Sequence, residues 1–229
     1  MATIKEKFIE NFIADDRWRY LWNGLGVTLK IALAAVVFGC IIGALVAIVR
    51  STHDKTGKWK TLNWFCKLYT TIIRGTPIVL QLLIMYFVVF ATASVSKVFV
   101  AIAAFSVNSG AYVSEIFRSG IMSIDAGQEE AGRSLGLSYG QTMLYIIIPQ
   151  AFKNVLPALA NEFIALLKET SVSGYIALVD LTKGGDIIRS QTYEAFMPLI
   201  GVACVYLCLV CLLSAGVARL ERRLRNSER

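Results

Sequence analysis

Apolar positions in this chain come in long blocks separated by short polar intervals. Leu25 to Val49 is twenty-five residues interrupted only by Lys30, enough at about 1.5 Å per residue to cross a hydrocarbon core of about 30 Å. Further apolar runs extend from Pro77 to Val95 with Gln81 inside, from Val98 to Val113, from Met143 to about Leu167, and from Ala195 to Ala218. The pattern predicts an all-α integral membrane protein with five transmembrane helices. Ahead of the first span, Ile4, Phe8, Phe12, Ile13, Trp18 and Tyr20 recur near helical spacing among charges of both signs. An amphipathic helix on the membrane surface is expected over residues 3–20. The expected organisation is an amphipathic segment at 1–22, a transmembrane domain at 23–220 and a basic tail at 221–229.

Composition agrees with the pattern. The 229 residues are 56% hydrophobic and 17% charged, with a mean hydropathy of +0.60, too apolar for a typical soluble domain. The net charge of +7 does not call for nucleic acid, because Lys and Arg gather on cytoplasmic loops of membrane proteins. Arg50, Lys55, Lys58 and Lys60 follow the first span, and Arg219, Arg222, Arg223 and Arg225 follow the last. Both groups are expected in the cytoplasm, which puts the N-terminus outside and the C-terminus inside. The first apolar run begins too late for a cleaved signal peptide, so the first span is expected to remain. Of the five cysteines, Cys204, Cys208 and Cys211 share a helix face but have no histidine cluster beside them. They read as packing residues, with no metal expected. His53, the single histidine, falls in a basic loop.

Three polar features interrupt this apolar frame. Gly75-Thr76-Pro77, following Arg74, must break or kink a helix, and the freed backbone groups are tolerated at membrane depth only inside protein or beside water. The fourth span carries Pro149 and Pro157 with Gln150, Lys153, Asn154, Asn161 and Glu162. Polar groups at that density are costly against lipid, so this helix is expected to face the bundle interior or a cavity. The third feature runs from Asp125 to Gln141. Asp125 and Gln128 are spaced as a capping box, Gly136 suits a left-handed helix end, and Ser138 with Gln141 repeats the cap. This predicts a short surface helix over about 126–136, a glycine corner and a new helix.

Within that stretch Glu130, Ala131, Gly136, Ile146, Ile148 and Pro149 resemble the EAA signature of ATP-binding-cassette (ABC) importer permeases: EAA, three residues, G, nine residues, I, one residue, LP. Gly132 stands where the signature has its second alanine, and Ile148 where it has leucine. Gly132 costs about 1 kcal/mol of helix propensity relative to Ala, yet keeps the residue small, as a docking surface needs. Arg74-Gly75-Thr76-Pro77 with Gln81, the run Ala111, Tyr112, Glu115, Arg118, Gly120, Ile121 and Ser123, and Lys168-Glu169-Thr170-Ser171 are similar to the polar amino acid subfamily of these permeases.

The resemblance implies the ABC type I importer permease fold in a bacterial inner membrane, with the short helix as a cytoplasmic coupling helix seated in a separate ATPase. Gln128, Glu130, Ala131, Gly132, Arg133 and Gly136 would make that coupling surface. Expected partners are an ABC ATPase dimer, a second permease subunit that is identical or a close paralogue, an extracellular or periplasmic binding protein meeting the outer loop at Gly174–Tyr193, membrane lipid and a polar amino acid. No GxxxxGK[ST] loop occurs, so ATP is expected to be hydrolysed by the partner and no cofactor to be bound by this chain. Thr76, Gln81, Asn161 and Glu162 are the candidate substrate contacts; interhelical hydrogen bonding is the competing reading for each. An ion-coupled secondary transporter, with Glu115, Lys153 and Glu162 as a charge relay, is the alternative function. A membrane enzyme is a third reading, which no Ser/His/Asp set, metal-ligand cluster or close carboxylate pair supports.

Overall fold

The computed structural model describes residues 3–226. The last residues of the expected basic tail, and the first two of the N-terminal segment, lie outside that range. Most of the described residues are helical, with no strand among them. The short helix α1 (Ile4–Phe8) leads through tighter and wider turns into α2 (Trp18–Thr56), and α3 (Lys60–Gly75) and α4 (Ile78–Ile84, continued to Val89) follow. Next come α5 (Lys97–Met122), the short α6 (Ala126–Ser134), and α7 (Tyr139–Thr142), which continues into α8 (Ile148–Glu169). Helices α9 (Leu181–Thr192) and α10 (Phe196–Asn226) complete the chain.

Among the described residues, four helical stretches are long and apolar enough to cross a membrane, and five if the broken pair α3 and α4 counts as one span. The observed helices overrun the apolar blocks at their ends. Helix α2 has 39 residues, about 58 Å at 1.5 Å per residue, nearly twice the core thickness. Its last turns therefore carry Arg50 and Lys55 beyond the apolar run. Leu33, Val37, Phe38, Ile41, Leu45 and Ile48 are exposed on its length, as a lipid-facing helix surface requires.

The expected surface helix over residues 3–20 is not continuous. Asp15 and Asp16 take positive φ values of 52° and 54°, which end the first helical segment before α2 begins. The segment is also tied down. Asn11 is fully buried, its amide donating to the Lys7 carbonyl at 2.8 Å and to Glu194 at 3.2 Å, while Thr192 donates to it at 2.9 Å.

The chain forms two compact units, each assembled from separate stretches. One comprises the chain up to Val37, Thr76–Ser106 and Phe163–Ser214. Its core is Ile31, Ala35, Leu82, Ala101, Ala104, Phe105, Leu166, Ile176 and Leu178. At α9 the Asp180 carboxylate caps the helix by accepting from the amides of Thr182 and Lys183 at 3.3 and 2.9 Å. Burial pushes this carboxyl above its ordinary pKa, opposed by those amides. The helix break lies at the start of this unit's second stretch. Pro77 precedes α4 in an extended conformation, and the buried Gln81 amide donates to the Thr76 carbonyl at 3.0 Å and hydroxyl at 2.8 Å. Gln81 thus satisfies the Thr76 carbonyl, which lies ahead of the first turn of α4 at the helix break.

The other unit comprises Phe38–Gly75, Val107–Glu162 and the chain from Ala215 onward. Here α2 and α5 meet through small residues. A Cβ on Gly39 would sit 2.9 Å from the Ser109 Cβ, and one on Gly43 2.6 Å from the Val113 Cγ1. The GxxxG strip is therefore used within the chain to bring α2 against α5. Tyr69 of α3 adds a hydrogen bond from its hydroxyl to the Val107 carbonyl at 2.6 Å. Gly43→Leu is expected to destabilise the detergent-solubilised protein by about 1–3 kcal/mol through overpacking, read as a lowered thermal unfolding midpoint; Gly216→Leu, where a Cβ has open space, should leave the midpoint unchanged.

Candidate functional site

Two features of this second unit carry chemistry, and the first is a cavity of about 490 Å³ between α3, α5 and α8. It is lined by Arg74, Tyr112, Glu115, Ile116, Ser119, Gly120, Ser123, Asn154, Ala158 and Glu162. Glu115 holds one wall. Arg50 of α2 makes a close ion pair with one of its oxygens, Arg118 donates to the other at 3.1 Å, and Arg74 lies 3.7 Å away. Three guanidiniums thus surround one carboxylate. The Arg74 guanidinium also sits over the Tyr112 ring, 5.5 Å from its centroid, a favourable cation–π placement. Glu162, from the far part of α8, brings a second carboxylate to the same cavity and accepts a hydrogen bond from Ser109 at 3.0 Å. Between them, Asn154 donates to Ser123 at 2.9 Å. One cavity therefore offers a guanidinium, two carboxylates and neutral hydrogen-bonding groups, a combination that can hold a small zwitterion.

Of the residues expected to contact substrate, only Glu162 lines this cavity. Asn161 is exposed and lies outside the lining set. Gln81 directs its amide to Thr76, so these two form a hydrogen-bonded pair across the helix break. The i, i+3 spacing of Glu115 and Arg118 announces their pairing. The participation of Arg50 and Arg74 does not show in the sequence, because Arg50 lies 65 positions from Glu115 and reads there as a topology signal.

The second feature is α6. It begins at Ala126 as the capping pattern predicts, with the Asp125 carboxylate accepting from the Gly127 amide at 2.7 Å. The expected reciprocal contact from Gln128 does not form. Gln128 accepts instead from the Gln150 side chain of α8 at 3.3 Å, which ties the helix to the span above it. The helix ends at Ser134, and Gly136 takes φ = 79°. Leu137 then donates to the Gly132 carbonyl at 3.1 Å and Gly136 to that of Arg133 at 2.9 Å, the paired bonds of a glycine-terminated helix. Ser138 and Gln141 form the predicted capping box. An ion pair between Lys55 and Glu129 fastens α6 to the end of α2.

Glu130, Ala131, Arg133 and Gly136 are exposed, whereas Gly132 is buried. This corrects the expectation that Gly132 belongs to an outward docking surface. A Cβ there would come within 2.7 Å of the Thr142 Cγ2 and 2.8 Å of its Oγ1. The missing side chain makes room for α7 inside the chain. The outward apolar residue at this corner is instead Leu135, 78% exposed, which a pattern search passes over because a single leucine between capping motifs has no periodicity.

Gly132→Ala is expected to destabilise the protein by about 1–3 kcal/mol. Adding Thr142→Ala should recover most of that loss, because it removes both clashing atoms and a buried hydroxyl without a hydrogen-bond partner. A double-mutant cycle on thermal unfolding checks the coupling.

The matches to known proteins run almost the length of the chain. Residues 35–226 match the family described as binding-protein-dependent transport system inner membrane component. The arginine transport system permease protein ArtQ of Bacillus subtilis (strain 168) is 37% identical over 211 residues, covering 91% of this chain and 94% of that one. The L-cystine transport system permease protein TcyB of the same organism is 34% identical over 216 residues, covering 93% and 90%. Among solved structures, an amino acid ABC transporter crystallised with histidines superposes with a TM-score of 0.86 at 36% identity, covering 97% of this chain and all of that one. The inward-facing methionine ABC transporter MetNI, 20% identical with a TM-score of 0.80, shares the fold. With its family match covering both α6 and the cavity-lining helices, the chain belongs to the binding-protein-dependent transport system inner membrane components.

Proposed function

We propose that this protein is the permease subunit of an ATP-driven ABC importer for a polar amino acid, and that the cavity in its second unit is part of the substrate route. The observation that carries the reading is the amphoteric lining. Arg74, backed by the Glu115 cluster, and Glu162 line one small cavity, which suits a molecule carrying both a carboxylate and an ammonium group. A charge relay through Glu115, as an ion-coupled carrier would need, has no comparable support. Arginines hold both of the Glu115 oxygens.

The energy source is a separate ATPase. Helix α6 is the element suited to meet it, because it is short, polar and capped at its start by Asp125 and at its end by Gly136. Leu135 is the apolar knob for a groove in the ATPase, with Glu130 and Arg133 beside it as polar contacts. Lys55 and Gln150 would pass the movement of α6 to α2 and α8 through Glu129 and Gln128. The assembly that fits this reading has two ATPase subunits, a second permease subunit, either identical or paralogous, and an external binding protein. Basic residues at and just beyond the end of α2 and at the end of α10 support a cytoplasmic placement for these two helix ends and an external N-terminus.

The test is purification of the tagged chain from its native membrane, followed by ATPase assay of the complex with its binding protein and a panel of amino acids. A co-purifying ATPase stimulated by one class of polar amino acid is expected; a chain that purifies alone and moves solute down an ion gradient would overturn the reading. In the active complex, Leu135→Asp should lower ATPase co-purification about tenfold, the effect of losing one buried apolar contact. Glu162→Gln should leave co-purification intact and raise the amino acid concentration needed for half-maximal stimulation.

A further inference from the structure

We infer that Arg74 is the cation that takes the substrate's carboxylate, exchanging it for Glu115 when the cavity fills. The inference rests on the permease reading above and adds a named recognition residue to it.

The three guanidiniums around Glu115 are not equivalent. Arg50 and Arg118 bind the two carboxylate oxygens closely, and their side chains are only 14% and 27% exposed. Arg74 is the outlying member, 3.7 Å from an oxygen that Arg50 already holds, with its side chain 44% exposed. Glu115 therefore keeps two close partners if Arg74 leaves it. Of the three, Arg74 alone lines the cavity.

Local structure supports the exchange. Arg74 occupies the last turn of α3, immediately before the Gly75-Thr76-Pro77 break, so its side chain does not lie in the middle of a continuous packed helix. The centroid of the Tyr112 ring lies 5.5 Å from the guanidinium carbon, a cation–π contact that holds Arg74 at the cavity without an acceptor atom. Edge donors are what a carboxylate recognises, through two parallel hydrogen bonds. The cluster also has positive charge to spare: three arginines face Glu115, and the remaining acid, Glu162, is engaged with Ser109. An incoming carboxylate completes this wall, and the ammonium group of the same molecule is left for Glu162. The inferred substrate is thus an amino acid with a free α-carboxylate, and α-carboxamides are predicted to be rejected.

The experiment measures equilibrium binding of radiolabelled L-glutamine and L-arginine to the purified permease–ATPase complex without binding protein, each in competition with its α-carboxamide. Wild type should prefer the free acid. Arg74→Gln should weaken binding of the acid about ten- to a hundredfold, the usual loss of a charge-assisted contact, while changing carboxamide binding less than about threefold, so that the preference collapses. Arg74→Lys should recover part of it, because the charge remains without the fork. Thermal unfolding near wild type shows that a variant is folded; should Arg74→Gln not fold, the comparison is made with Arg74→Lys and Tyr112→Leu. An Arg74→Gln complex that keeps the acid-over-amide preference overturns the assignment and leaves the permease reading intact. A wild-type complex that couples to the ATPase yet shows no preference for the acid also overturns it. A chain that neither assembles with an ATPase nor binds either amino acid overturns the permease reading and this inference together.

Discussion

A carboxylate within a membrane-spanning helix has to be compensated by the protein, because lipid offers nothing to replace its hydration. Glu115 is the clearest case in this chain, and much of the second unit is arranged around it. Arg50 reaches it from the overrun of α2, Arg74 from the end of α3, and Arg118 from its own helix one turn on. Removing the carboxylate would leave three cations facing one another, so the helices that deliver them are constrained to one arrangement. The same cluster lends Arg74 and Glu115 to the lining of the cavity, so the compensation of one half-buried charge also places charged groups there.

Backbone breaks are handled by the same logic at smaller cost. At the Gly75-Thr76-Pro77 break, the Gln81 side-chain amide donates to the Thr76 carbonyl that lies outside both flanking helices. The glycine corner after α6 closes its free carbonyls through Leu137 and Gly136, and the next helix starts with its own capping box. These local solutions keep α6 a defined rigid element although it has only nine residues, too short to be stable in isolation. Its attachments to α2 and α8 run through Glu129 and Gln128.

The position of Gly132 shows how a signature letter can have more than one physical cause. The family resemblance has alanine there, and smallness on a docking surface is the natural reading. In the fold the residue turns inward onto Thr142, and its lack of a side chain is set by packing within the chain. The exposed apolar side chain at this corner is that of Leu135, one residue outside the helix.

What the sequence determined is the part governed by short range. Apolar block length fixed the number of possible spans, Pro77 fixed the helix break, and Asp125, Gly136, Ser138 and Gln141 fixed where the surface helix starts, where its corner lies and where the next helix begins. Each of these depends on neighbours within a few residues, and each is observed close to its expected place. Only the tertiary structure decided which polar side chains share a cavity. Arg50 and Arg74 join Glu115 because α2 and α3 pack beside α5, while Asn161, adjacent to Glu162 in sequence, stays outside the lining set. The physical reason is that a helix turns about 100° per residue, so sequence adjacency does not place two side chains on one face, and the choice of face is made by contacts with helices distant in the chain.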